Sequence, residues 1–222
     1  SWLLSAMDSA RSKDDIDRIS ACMGALGEVF LKSGKPSAAL ELFWHDARLI
    51  PAGSSDSGRV ENYLSICLGR MGARELAEPR LWAAYLGAAD HDPVSAAYAR
   101  SHLAVLSVTE NDPSLFQRVR EQPAIEDPML KHGRVGRDDG MPRGFMEIAK
   151  AWHRKEDPGI VLKHLHEARN IFGSTHPVES AWTNLLIGTY GGEADDSPTF
   201  EELNKRPYPK CPVKEVSAIH TA

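Results

Sequence analysis

Met23-Gly24-Ala25-Leu26-Gly27-Glu28-Val29-Phe30, followed by Gly34, then by Ala39-x-x-x-Phe43 and Leu49-x-Pro51, decides how this chain folds. Met23, Leu26, Gly27 and Phe30 recur at steps of three and four, which places them on one face of a helix. Gly34 then supplies the positive φ that ends a helix and turns the chain. Ala39 and Phe43, four apart, open a second helix on the same logic, and Pro51 closes it. Gly27 and Ala39 are small enough for the two helices to approach closely, and Phe30 and Phe43 fill the space beside that contact. The stretch predicts an antiparallel helical hairpin.

The same phase recurs downstream. Leu64-Ser65-x-x-Leu68, Gly72, Ala77-x-x-x-Leu81 and Ala84 form a second unit, and His102-Leu103-x-x-Leu106 with Leu115-x-x-x-Val119 a degenerate third. Phe145-x-x-Ile148-Ala149-x-x-Trp152 with Val161-x-x-x-Leu165-x-x-Ala168 forms a fourth, and Trp182-x-x-Leu185-Leu186 opens a fifth that lacks its second helix. The marker positions 26, 64, 102, 148 and 185 stand 38, 38, 46 and 37 residues apart. Punctuation agrees with this spacing. Asp92-Pro93, Asp112-Pro113 and Asp157-Pro158 each set a capping carboxylate before a proline whose missing N–H costs nothing at a helix start. Lys35-Pro36 and His176-Pro177 read as two further starts. Sustained alternation is missing, and so is an Asn-Gly or Asp-Gly hairpin turn between apolar runs, so strands are not expected.

The first unit resembles the tetratricopeptide repeat, W-x-x-L-G-x-x-Y…A-x-x-x-F…P, with Met23 in place of the leading Trp. The resemblance covers roughly residues 20 to 190 and is closest in units one and four. It implies an all-α fold, a right-handed superhelix (α-solenoid) of antiparallel helix hairpins. Each step exceeds the family's ~34 residues, so the extra length goes to loops such as 53–58 and 133–140. Residues 1–190 are read as the repeat domain with partial units at both ends, residues 1–11 being the second helix of a preceding unit. Residues 191–222, with four prolines and an acidic group, are read as an extended tail that caps the last helix or lies free. The start, without Met, looks like a cut inside a longer protein.

The composition is that of an ordinary globular domain, 42% hydrophobic and 26% charged with a net charge of −5, which leaves no electrostatic footprint for direct nucleic acid binding. The basic positions Lys131, Arg134 and Arg137 are interrupted by Asp138 and Asp139 and read as a solvated loop. No apolar run reaches the roughly 20 residues that span a membrane. Three cysteines without a Cys-x-x-Cys pair make no disulfide framework, and Cys22 and Cys67 in helical patterns suit a reducing, cytoplasmic setting.

Motifs for catalysis are missing: no Walker loop, nucleophile elbow, zinc helix or dinucleotide fingerprint. Gly133, Gly136 and Gly140 have the wrong spacing for a phosphate cradle. His164 and His166, two apart on a helix, point about 200° from each other and cannot share an ion. Trp44, Trp82, Trp152 and Trp182 read as core. Neither an enzyme nor a cofactor or metal site is expected.

In the family that the repeats resemble, the first helices of successive units line a concave groove for a peptide. The resemblance places the ligand-facing side chains two and five positions either side of each marker. These are Ala21, Gly24, Glu28 and Leu31; Arg59, Asn62, Ile66 and Gly69; Ala97, Arg100, Ala104 and Ser107; and Arg143, Met146, Lys150 and His153. From these we take Arg59, Asn62, Ile66, Arg100, Arg143, Lys150 and His153 as the candidate binding residues. Arg59, Arg100, Arg143 and Lys150 against Glu28 give the groove a basic bias, which points to an acidic or carboxylate-bearing protein or peptide partner. Gly24 and Glu28 occupy places that a chaperone-tail clamp fills with other residues, which argues against that ligand. The Ala-rich, Asp-Pro-punctuated units also resemble the sensing part of bacterial helix-turn-helix regulators. Self-association through an incomplete end repeat is a further expectation.

Overall fold

The structure is a computed structural model and describes residues 2–51, 54–89, 92–123, 140–173 and 177–192. Among these residues there are ten helices and no strand. They are α1 (Trp2–Arg11), α2 (Ile16–Lys32), α3 (Pro36–Leu49), α4 (Ser55–Arg70) and α5 (Arg74–Ala88), then α6 (Pro93–Thr109), α7 (Pro113–Glu121), α8 (Gly140–Trp152), α9 (Pro158–Phe172) and α10 (Pro177–Thr189). The expected insertion at 133–140 falls almost wholly outside the described residues, and so does the tail from 193 on, with Cys211.

Local chemistry fixes where the helices begin. Pro36, Pro93, Pro113, Pro158 and Pro177 are all first residues of helices. Asp15 Oδ1 accepts from Arg18 N, Asp112 Oδ1 from Ser114 N and Leu115 N, and Asp157 Oδ1 from Ile160 N. Each carboxylate satisfies backbone donors that the first helical turn leaves free.

A single turn type reverses the chain again and again. Lys35 N donates to Phe30 O, Ala73 N to Leu68 O, Asp112 N to Ser107 O and Gly192 N to Ile187 O, at 2.8–3.0 Å. Asp15 N does the same to Ala10 O at 3.1 Å. In each case the residue just before the donor has positive φ: Gly34 (69°), Gly72 (79°), Asn111 (49°), Gly191 (79°) and Asp14 (51°). This six-to-one closure recovers carbonyls that a helix end would otherwise orphan.

The chain divides into two compact units, Ser1–Ala99 and Arg100–Ala222. In the first, α2 packs on α3, α4 on α5, α3 on α4, and α1 on α2. Its core gathers Leu31, Ala39, Phe43, Val60, Leu64 and Cys67, with the Phe43 ring stacked on Tyr63 at 4.6 Å. Burial pushes the Cys67 thiol up to about 12. In the second, α8 packs on α9 and α9 on α10. Ala151, Val161, Leu165, Leu186 and Ile187 form its core, with Ile148 half-buried against it.

The marker positions Leu26 and Leu64 are buried, and Ile148 and Leu185 half-buried. The position after each marker is buried in every unit: Gly27, Ser65, Leu103, Ala149 and Leu186. In the degenerate third unit His102 is half-buried, like Ile148 and Leu185, and Leu103 takes the buried place after it. Trp44 corrects an expectation. It is 51% exposed, not a core residue, and its ring lies under the Arg80 guanidinium at 5.6 Å. Trp82 and Trp152 are half-buried, and the Trp182 side chain lies outside the described residues. None of the described helices is long and apolar enough to cross a membrane.

Candidate functional site

In the first unit, α1, α2 and α4 leave an open hollow of about 550 Å³. Leu3 lines it from α1; Asp17, Ser20, Ala21, Gly24, Ala25, Glu28 and Val29 from α2; and Asp56 and Arg59 from α4. Asp17, Ala21, Gly24 and Glu28 fall at steps of four, three and four, so a single helical face supplies most of the wall. Four residues expected to face a ligand, Ala21, Gly24, Glu28 and Arg59, therefore do meet in one place.

A buried ion pair sets the floor. Asp46, fully buried on α3, accepts from the Ser20 hydroxyl and lies 3.5 Å from Arg59 Nη2. Arg59 also reaches Asp56, with Nε 3.8 Å from Oδ1. Burial raises the Asp46 carboxyl above its ordinary 3.8, against the pull of Ser20 and Arg59. Gly24 makes room for this arrangement, because a Cβ there would stand 2.9 Å from Arg59 Nη1. At the other wall Glu28 Oε1 accepts from the Tyr63 hydroxyl at 2.6 Å. Burial, and then this bond to Glu28, raise the Tyr63 hydroxyl well above its ordinary range. Through Tyr63 and Phe43, Glu28 is tied to the core.

The remaining candidates are held elsewhere. Asn62 is only 5% exposed and its amide donates to Ser95 O at 2.9 Å, so it is a strut between α4 and α6 and not a hand for a peptide. Ile66 is half-buried against the core. Arg100 Nε and Nη2 donate to Val119 O and Gln122 O, both at 3.2 Å, where they cap the carbonyl end of α7. Lys150 donates to Glu147, whose other oxygen meets His164 Nδ1 at 2.7 Å. Arg143 is exposed on α8. His153, just past α8, stacks on Phe116 at 4.5 Å and contacts Ser107 Oγ at 3.0 Å.

The hollow, which takes in only Arg59 of the four basic groove residues, is itself not basic. Its lining carries Asp17, Glu28 and Asp56 against Arg59, and Asp46 lies below. Arg100, Arg143 and Lys150 belong to the second unit and are not among its lining. Sequence reasoning missed Asp17, Ser20 and Asp56, although Asp17 is one turn before Ala21 and Asp56 one turn before Arg59. Asp46 also left a signal. It stands at the place that Ala84 and Ala168 hold in units two and four, both buried. A carboxylate at a position that wants alanine calls for a buried counter-charge.

Ser107 and His153 have the composition of a nucleophile and its base, but their geometry argues against that use. Ser107 is fully buried, and its hydroxyl donates to Ala104 O at 2.6 Å. With the hydroxyl proton directed to Ala104 O, His153 Nε2 is the donor toward Ser107 Oγ, and this nitrogen, the one that faces the serine, is not free to take its proton. Burial, and next Lys155, lower the His153 pKa below 6.5, which keeps the ring neutral. Among the described residues no group of three or more His, Cys, Asp or Glu could hold a metal ion. His164 turns to Glu147 instead.

Compared with known proteins, the chain matches no family model, no curated protein and no solved structure.

Proposed function

We propose that this chain is a non-catalytic interaction module of the tetratricopeptide-like solenoid kind, and that the hollow on α1, α2 and α4 holds a segment of a partner protein. The observation that carries this reading is the convergence of Ala21, Gly24, Glu28 and Arg59, chosen for their repeat positions, on one open concavity. Small Ala21 and Ala25 give a backbone close access to the α2 wall, while Leu3 and Val29 offer apolar contact. Three carboxylates against one guanidinium favour a segment with Lys or Arg, in place of the acidic ligand that the sequence suggested. Arg59, paired with Asp46 and Asp56, positions the floor and leaves Asp17 and Glu28 to select the partner. A reducing, cytoplasmic setting fits the buried Cys67 thiol.

Short extended peptides carrying Lys, and matched peptides carrying Glu, test this by the backbone amide signals of Ala21, Gly24 and Glu28. Lys peptides should move these signals, and Asp17→Lys with Asp56→Lys should weaken binding several-fold. Signals that stay put with both peptide sets, or a preference for the Glu peptides, would remove the reading.

A further inference from the structure

The chain itself contains a segment with the chemistry that the hollow calls for. Residues 203–214 form an acid-free stretch that carries Lys205, Arg206, Lys210 and Lys214, and no other acid-free stretch of the chain carries more than three Lys or Arg. Pro207, Pro209 and Pro212 fall among them. Each proline fixes φ and lacks a donor, so a sequence of this kind favours an extended chain and gives up little conformational freedom when held. The segment lies outside the described residues.

The hollow offers the opposite charge. Asp17 and Asp56 on its lining are exposed, and Glu28 is half-buried. Below them Asp46 is fully buried, and its Oδ2 has no hydrogen-bond partner among the described residues, with Arg59 Nη2 at 3.5 Å. Arg59 is the single Lys or Arg of the lining. The lengths agree as well. Asp17 and Glu28 stand eleven residues apart on α2, about 16 Å along a helix. An extended proline-rich chain covers about 16 Å in five residues, which is the separation of Lys205 and Lys210.

We propose, resting on the reading of the hollow as a seat for a cationic segment, that the hollow of one copy holds residues 203–214 of a second copy. Lys205 and Lys210 then lie against Asp17 and Glu28, with Tyr208 between them, where small Ala21 and Ala25 leave the wall low. Hollow and segment are carried on the same chain, so two copies that exchange segments form a closed pair. Partly exposed ion pairs are weak and screened by salt, so the dissociation constant should be on the order of 100 μM and should rise with ionic strength.

The amide signals of Ala21, Gly24 and Glu28 in the full chain, followed from 10 μM to 1 mM, read this directly. In wild type they should move with concentration. Lys205→Glu together with Lys210→Glu should raise the dissociation constant at least about tenfold. Both substitutions lie beyond α10, and circular dichroism should show the helix content unchanged. A peptide of residues 203–214 added to that variant should move the same signals along the path that concentration moves them in wild type. The same peptide with both lysines changed to Glu should not. Wild-type signals that ignore concentration, a variant that behaves as wild type, or a native peptide that leaves the hollow unmoved would each overturn the proposal. If other Lys peptides still move those signals, the hollow keeps its proposed role and only this occupant is wrong; if none does, both readings fall.

Discussion

A Cβ on Gly27 would stand 2.6 Å from Phe43 Cζ, with two more ring atoms inside 3 Å. The two residues are the contact point of the α2–α3 hairpin. The Phe43 ring cannot yield, because it is fully buried and stacked on Tyr63. Gly27→Ala should therefore destabilise the protein by about 1–3 kcal/mol, even though alanine favours a helix by up to about 1 kcal/mol. Urea denaturation measures the change. The Gly27→Ala, Phe43→Leu pair should couple by at least about 1 kcal/mol, since the smaller side chain frees the space that the methyl needs.

The turn at Gly72 has φ of 79°, and nothing lies within 4 Å of where a methyl would stand, so its constraint is the backbone and not the space. Gly72→Ala should cost about 1–2 kcal/mol. Gly72→Asn should cost less, because Asn111 already holds the equivalent place between α6 and α7 at φ 49°. Equal losses for the two variants in thermal melts would show that the turn geometry is not what matters.

Asp46 keeps its proton to higher pH in the folded chain than its ordinary 3.8, chiefly because burial disfavours its charge. The folded state then binds more protons than the unfolded one just above that value, so this group's contribution falls as pH rises through the interval. Asp46→Asn keeps an acceptor for Ser20 and removes the titration. Its stability relative to wild type should rise between pH 4 and pH 7. Arg59→Ala should act oppositely at pH 7, costing about 1–2 kcal/mol, less than a fully buried pair because Arg59 is one-third exposed. Denaturation at the two pH values checks both.

His153 gives the reverse slope. Its folded pKa lies below 6.5, through burial first and Lys155 second, with Asp112 opposing. Its contribution is complete above 6.5 and is lost as pH falls through the window below, by at most about 1.4 kcal/mol per pH unit. His153→Gln, whose amide can still donate to Ser107, should flatten the stability of the second unit between pH 7.5 and 5.5. A slope that survives the substitution would place the titrating group elsewhere.

Much of the architecture was legible along the chain because it rests on local chemistry. Proline lacks a donor and so marks a first helical turn, and Asp before it caps that turn. Glycine at 34, 72 and 191 is needed where φ is positive. Steps of three and four told which side of each helix is buried, down to the small residues at Gly27 and Ala39. The hollow was half legible. Helical periodicity put Ala21, Gly24 and Glu28 on one face, and the repeat offset brought Arg59 to them.

What periodicity cannot supply is the occupant of the space beyond a helical face. Asn62 and Arg100 sit at the right angle on their helices, yet Ser95 O and the α7 carbonyls lie within reach and take their donors. Trp44 has the size and spacing of a core residue, but none of the described helices covers it. Sequence alone determined most of the helices, their turns and their buried sides, since those follow from backbone donors, φ and side-chain volume within a few residues, although the loop expected over 53–58 is helical from Ser55 on. Only the tertiary structure decided which charges are spent and which remain. That depends on neighbours far along the chain, such as Asp46 beneath Arg59, and their distances are fixed by how the helices pack.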